Sequence, residues 1–124
     1  TVVPRTRLVE VIEQVLEIGD RYGLTMLNVF HAGDGNLHPL IAFDAKEPGM
    51  LDLVHAAARE MVEASIEAGG SLSGEHGVGI EKRDLMLNQF NLVDLEHQMR
   101  IKTMFDPDWL LNPAKVFPLE VRSR

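Results

Sequence analysis

The 124-residue chain contains no cysteine. Disulfides, thiolate metal sites, iron–sulfur clusters and cysteine nucleophiles are therefore excluded. Aromatic residues make up only 6% of the chain, with a single tryptophan, Trp109, and a single tyrosine, Tyr22. No apolar run approaches the roughly 18 residues that a membrane-spanning helix needs. No signal-peptide pattern is visible. Basic residues are scarce: 12 Lys and Arg stand against 19 Asp and Glu, a formal net charge of −7. That balance argues against a nucleic-acid footprint, which would be basic. It leaves room for a local basic patch around an anionic substrate. There is no Gly-x-Ser-x-Gly elbow, so serine hydrolase chemistry has no support. No Walker A spacing occurs, and no strong strand precedes the glycine-rich stretch, so the dinucleotide fingerprint is absent too.

What is present is ordinary for a globular protein: 45% apolar and 25% charged residues. The length suits one compact domain with a modest core. The chain opens on Thr1-Val2-Val3-Pro4, which reads as the middle of a longer protein.

Apolar periodicity predicts an amphipathic helix over 5–22, with Leu8, Val11, Ile12, Val15 and Leu16 on its stripe and Gly23 at its end. Residues 25–31 (TMLNVFH) and 37–43 (LHPLIAF) read as paired strands. Pro39 lacks an N–H, so the second strand should lie at an edge or be irregular near its start. A second amphipathic helix follows over 50–68, with Leu51, Val54, Ala58, Met61, Val62 and Ile66 in line, and Gly69-Gly70 stops it. Residues 71–80 form a Gly/Ser-rich loop that opens with room for a very short strand. A short helix is predicted over 81–89, and another from an Asn91 cap to about Phe105. Asp106-Pro107-Asp108 breaks it, and 109–115 form an irregular tail. The pattern is α+β: a small antiparallel sheet packed with amphipathic helices.

Two stretches carry candidate chemistry. His31 and His38 flank the Gly33-Asp34-Gly35-Asn36 turn. Cross-strand neighbours have Cβ atoms about 4.5–5.5 Å apart, close enough for two imidazoles to share one ion. Further on, Glu75 and His76 stand among Gly70, Gly74, Gly77 and Gly79. His31, His38 and Glu75 together would make a two-His, one-carboxylate set, suited to zinc, non-haem iron or manganese with an open position. His76 would then be free to move protons. From spacing alone, a polar hairpin tip and a solvated Glu-His pair explain these residues equally well. Lys82 and Arg83 follow the loop and could attract a substrate carboxylate, although a solvated pair is the simpler reading. The Asp34-Gly35-Asn36 run lacks the further ligands of an EF-hand. His55 and His97 fall on helices and read as surface residues. Phe30 and Trp109 read as core or interface anchors.

Three motifs in order, His31-Ala-Gly-Asp-Gly-Asn-Leu-His38, Gly70-Ser-Leu-Ser-Gly-Glu-His-Gly-Val-Gly79 and Leu111-Asn-Pro-Ala-Lys115, resemble the C-terminal domain of FAD-linked 2-hydroxy-acid oxidoreductases. This is the family of the glycolate, D-lactate and D-2-hydroxyglutarate flavoenzymes. The opening Val3-Pro-Arg-Thr-Arg-Leu8 resembles the segment that precedes the first motif. The resemblance implies a ferredoxin-like portion of the family's substrate domain over 1–124, with the N-terminal FAD-binding domain lying outside this chain. It implies that His31, His38 and Glu75 bind a divalent metal, most often zinc. His76 matches the acid/base near the flavin, and Asn112, Glu75 and His76 match flavin-side positions. The implied partners are a small 2-hydroxy acid, the FAD-binding domain, an electron acceptor of unspecified kind and, from the strand edge, a second copy of the chain. The implied location is the cytoplasm, or the membrane periphery in the intact enzyme. By itself the chain should be catalytically silent. One departure stands out: the family has glycine where this chain has Ala114. A stand-alone two-His, one-carboxylate metal enzyme and a non-catalytic dimerising α+β module are the competing readings.

Overall fold

A computed structural model describes residues 1–122, so the last two residues of the expected domain lie outside the described residues. The chain forms two compact units, Thr1–Glu75 and His76–Arg124.

In the first unit, a 3-10 turn over Arg5–Arg7 leads into α1, Leu8–Arg21. Strands β1 (Thr25–His31) and β2 (Asn36–Ala42) form an antiparallel hairpin, and α2 spans Met50–Glu67. Both helices end in the same way. Gly23 and Gly69 adopt left-handed φ values of 66° and 83°. The N–H groups of Gly23 and Leu24 then reach the Asp20 and Gly19 carbonyls, and those of Gly69 and Gly70 reach Ile66 and Ser65. This is the Schellman pattern, which satisfies carbonyls the helix leaves open.

Val2 bridges Asn36 on one side and Ser71 on the other, both antiparallel. The lateral order is therefore Ser71, Val2, β2, β1, with α1 and α2 as the connections. That is the order of a split β-α-β unit, the ferredoxin-like portion expected from the resemblance. Pro39 pairs with Asn28 inside β2. The Leu37 N–H points away from β1, to the Thr1 carbonyl. Pro39, two residues on, turns its missing donor to that same outer side, so β2 continues unbroken.

The core lies between the helices and the inner sheet face. Val11, Val15, Ile18, Leu37, Ala57 and Met61 are all buried in it. Two expected stripe members are exposed instead: Leu16 is 42% exposed and Leu51 50% exposed. The buried line on α1 runs through Leu8, Val11, Val15 and Ile18, and on α2 through Val54, Ala57, Met61 and Ser65. Val62 is buried as well, so each buried line keeps most of the expected stripe and adds Ile18 and Gly19 on α1 and Ala57 and Ser65 on α2.

In the second unit, the expected helix over 81–89 is a 3-10 turn, Arg83–Leu85, followed by one α-turn, α3, Met86–Gln89. Leu85 and Met86 are its buried anchors. Helix α4 spans Leu92–Phe105, and the Asn91 side chain caps it by accepting the Asp94 N–H at 3.0 Å. A short α5, Leu119–Arg122, was not foreseen; at four residues it is too short to show a period. Buried Asp106 ends α4. Its carboxylate pairs with Lys102 at 2.7 Å and accepts the N–H groups of Leu110 and Leu111. The Lys102 hydrogen bond holds its pKa below the ordinary carboxylate value; burial opposes this, and the two backbone donors reinforce it. Trp109 stacks edge-on against Phe117 and donates its indole N–H to Thr103. His55 and His97 are exposed on their helices, as expected, whereas Phe30 is 43% exposed rather than a core anchor.

Candidate metal centre

The hairpin turn closes when the Asp34 N–H bonds to the His31 carbonyl, and Gly35 takes a left-handed φ of 71°. The register pairs His31 with Asn36 and His38 with Val29. The two histidines are thus diagonal rather than directly opposed. The four-residue loop sets this offset, and a two-residue step along β2 keeps both on one face. Their ring centroids lie 5.3 Å apart, at an interplanar angle of 88°.

Glu75 arrives from the loop after α2. That loop is tied down by the Val2–Ser71 bridge and then passes the buried Asn36. A Cβ on Gly74 would stand 2.5 Å from the Asn36 Oδ1, so only glycine allows the approach. Glu75 then accepts a hydrogen bond from His38, Nε2 to Oε1 3.0 Å. One ligand atom from each of His31, His38 and Glu75 lies within 4.8 Å of the others. His31 and Glu75 are exposed and His38 is half-buried. The cluster is open to solvent on one side, as a site that takes a small ligand must be.

The same sheet face continues as Leu27, Val29 and Leu40, which are 58%, 54% and 49% exposed. The three donors therefore sit at the end of a bare apolar surface.

Comparison with known proteins identifies the family of the chain. Residues 1–116 match the family described as FAD linked oxidases, C-terminal domain. The chain belongs to this family. It is 47% identical over 116 residues to the glycolate oxidase subunit GlcD of Escherichia coli K12, covering 94% of this chain and 23% of that protein. It is 34% identical over 122 residues to the GlcD subunit of Bacillus subtilis, covering 98% of this chain and 26% of that protein. The mitochondrial D-lactate dehydrogenase [cytochrome] of Kluyveromyces lactis is 34% identical over 118 residues, covering 95% of this chain and 20% of that protein. The chain spans about a quarter of the length of these relatives.

The remaining candidate residues from the sequence lie in the second unit. His76 is exposed and lines an open cleft of about 390 Å³ with the loop that follows it, Lys82 and Lys115. Arg83 is not among the lining residues; its guanidinium donates to the Ala114 carbonyl at 2.7 Å. Asn112 is exposed in a left-handed conformation, φ 46°. Ala114 is also left-handed at φ 60°. The turn is therefore kept, at the strain an alanine incurs there. Sequence reasoning passed over Gly74 as a positioning residue and Lys115 as a lining residue. Both had a signal: Gly74 its place in the glycine-rich stretch, and Lys115 its place in the Leu111–Lys115 motif. Among the described residues, no helix is long and apolar enough to cross a membrane.

Proposed function

We propose that this chain supplies the metal-binding and proton-transfer side of an FAD-dependent oxidation of a 2-hydroxy acid, of the glycolate or D-lactate type, to the 2-oxo acid. One observation carries the reading: His31, His38 and Glu75 converge to within 4.8 Å. Two imidazoles and a carboxylate suit a divalent cation with an open position, zinc first. Donor atoms around tetrahedral zinc stand roughly 3.4 Å apart, given bonds of about 2.0–2.1 Å. The His38–Glu75 contact at 3.0 Å is already of that order, and side-chain rotation brings His31 in.

When bound, the cation lowers the pKa of a coordinated hydroxyl, and FAD accepts the hydride. The chain's own residues do the rest. His31, His38 and Glu75 would hold the cation. His76 takes the hydroxyl proton as general base. Lys82 adds positive charge for an anionic substrate, whereas Arg83 holds the Ala114 carbonyl beside Lys115. Glu75, His76 and Asn112 are the residues that would approach the flavin. The flavin-carrying portion of the intact enzyme covers Leu27, Val29 and Leu40, which would otherwise be an exposed apolar patch. In this reading the chain alone does not turn over, and the intact enzyme works in the cytoplasm or at the membrane periphery.

The test is to replace His31 or Glu75 with alanine in the intact enzyme and to measure bound metal and turnover of glycolate and D-lactate. Loss of both supports the reading. Unchanged metal content with an unchanged rate overturns it. Bound iron with oxygen-dependent turnover and no flavin would assign the site to a stand-alone metal enzyme instead.

A further inference from the structure

The chain carries a net charge of −7, yet one cleft of the second unit is lined by two lysines. Lys82 and Lys115 face it together with His76 and the run Gly77–Glu81. Glu81 is the single carboxylate among these lining residues. Neither lysine has an ion-pair partner among the described residues, whereas Lys102 is held by Asp106 and Arg83 by Asp84 and Ala114.

Lys115 is presented by a backbone fixed on both sides. The Ala114 carbonyl accepts from Arg83 at 2.7 Å, and the Val116 N–H donates to the Gly79 carbonyl at 2.8 Å. Asn112, Ala114 and Val116 all have positive φ, 46°, 60° and 72°. For a β-branched residue such as Val116 this is a true outlier. Strain of this kind persists only where its surroundings impose it, and it concentrates at binding sites. Opposite Lys115, Gly77 and Gly79 have φ of 81° and 58°, with Val78 between them outside the positive range. Left-handed glycines on both sides of one residue are the kind of backbone from which anion-binding nests are built. A Cβ at either glycine would meet nothing within 4 Å, so packing does not require glycine there. The φ values do.

We propose that this cleft is an oxyanion site, in which Lys82 and Lys115 clasp a carboxylate or phosphate group against the Gly77–Gly79 backbone. The cleft does not depend on the metal centre. Only the identity of the anion rests on the function proposed above: a carboxylate of the hydroxy acid, or a phosphate of the flavin cofactor.

The test is an NMR titration of the isotopically labelled chain with inorganic pyrophosphate and, separately, with D-lactate. Saturable shifts should appear at the Gly77 and Gly79 amides and at the two lysines, and they should weaken as salt screens the charges. Lys82→Gln and Lys115→Gln should each weaken binding about tenfold at low ionic strength, while Lys82→Arg retains it. Tighter binding of pyrophosphate names the cofactor phosphate as the source, and tighter binding of D-lactate names the substrate carboxylate. Absence of saturation with both probes, or equal affinity in wild type and both glutamine variants with native spectra, overturns the proposal. Zinc binding should be unchanged in the lysine variants and pyrophosphate binding unchanged in His31→Ala, which separates this site from the metal centre.

Discussion

The Asn36 side chain and the backbone of Gly74 are in such close approach that a Cβ at position 74 would lie 2.5 Å from Oδ1. Asn36 belongs to the hairpin that carries both histidines, and Gly74 immediately precedes Glu75. The contact therefore sets where the carboxylate meets the imidazoles. It links a packing requirement to the candidate metal chemistry.

Gly74→Ala should keep the fold and push the loop away from the hairpin. Residues that orient ligands without being ligands typically cost 10–100-fold in metal affinity when changed. We expect a zinc affinity at least about tenfold weaker by competition with a chelating dye. An unaltered affinity would show that the loop is placed by other contacts.

Leu37 is 1% exposed and lies next to His38 on the core side of β2. Leu37→Ala should destabilise the first unit by about 2–5 kcal/mol, from lost burial and the cavity left behind. Urea denaturation followed by far-UV circular dichroism reads this directly. A loss below about 1 kcal/mol would mean that the hairpin collapses onto the gap.

Ala114 occupies a left-handed conformation at φ 60°. Glycine removes the Cβ clash but adds freedom to the unfolded chain, so Ala114→Gly should be stabilising by roughly 0.5–1 kcal/mol. The shift in denaturation midpoint checks the sign. A destabilised variant would show that the methyl group packs well enough to outweigh the strain.

Asp106 has a depressed pKa in the folded chain, first through the Lys102 hydrogen bond and then through Leu111 and Leu110 against burial. For a carboxylate with a lowered folded pKa, the stabilisation is present above the unfolded value of about 3.9 and is lost as pH falls through the lower folded value. Trp109, the one tryptophan, follows Asp106 by three residues and reports the tail. Acidification below about pH 3.9 should change its fluorescence, and Asp106→Asn should give the changed spectrum already at neutral pH. Identical acid profiles for the two proteins would remove Asp106 from the account.

Much of the fold is legible in the residues. The apolar periods of α1 and α2, the glycines that end them, the strand patterns either side of the hairpin turn and the Asn91 cap all act over a few neighbouring residues. Their boundaries fall within a few residues of the observed ones. The stripes were read less well. Leu16 and Leu51 point to solvent because burial depends on which face meets a partner, which no local period encodes.

The sequence by itself determined the donor types, their order and the turns that could bring them near one another. Two imidazoles, a carboxylate and a set of glycines are chemical facts about the chain. Tertiary structure decided which of them converge. The hairpin register made His31 and His38 a diagonal pair, the Val2–Ser71 bridge fixed the start of the Glu75 loop, and the Asn36–Gly74 approach completed it. The last two contacts join residues more than thirty positions apart, and no local preference encodes such distances. They follow from the one way the helices and sheet bury their apolar faces together.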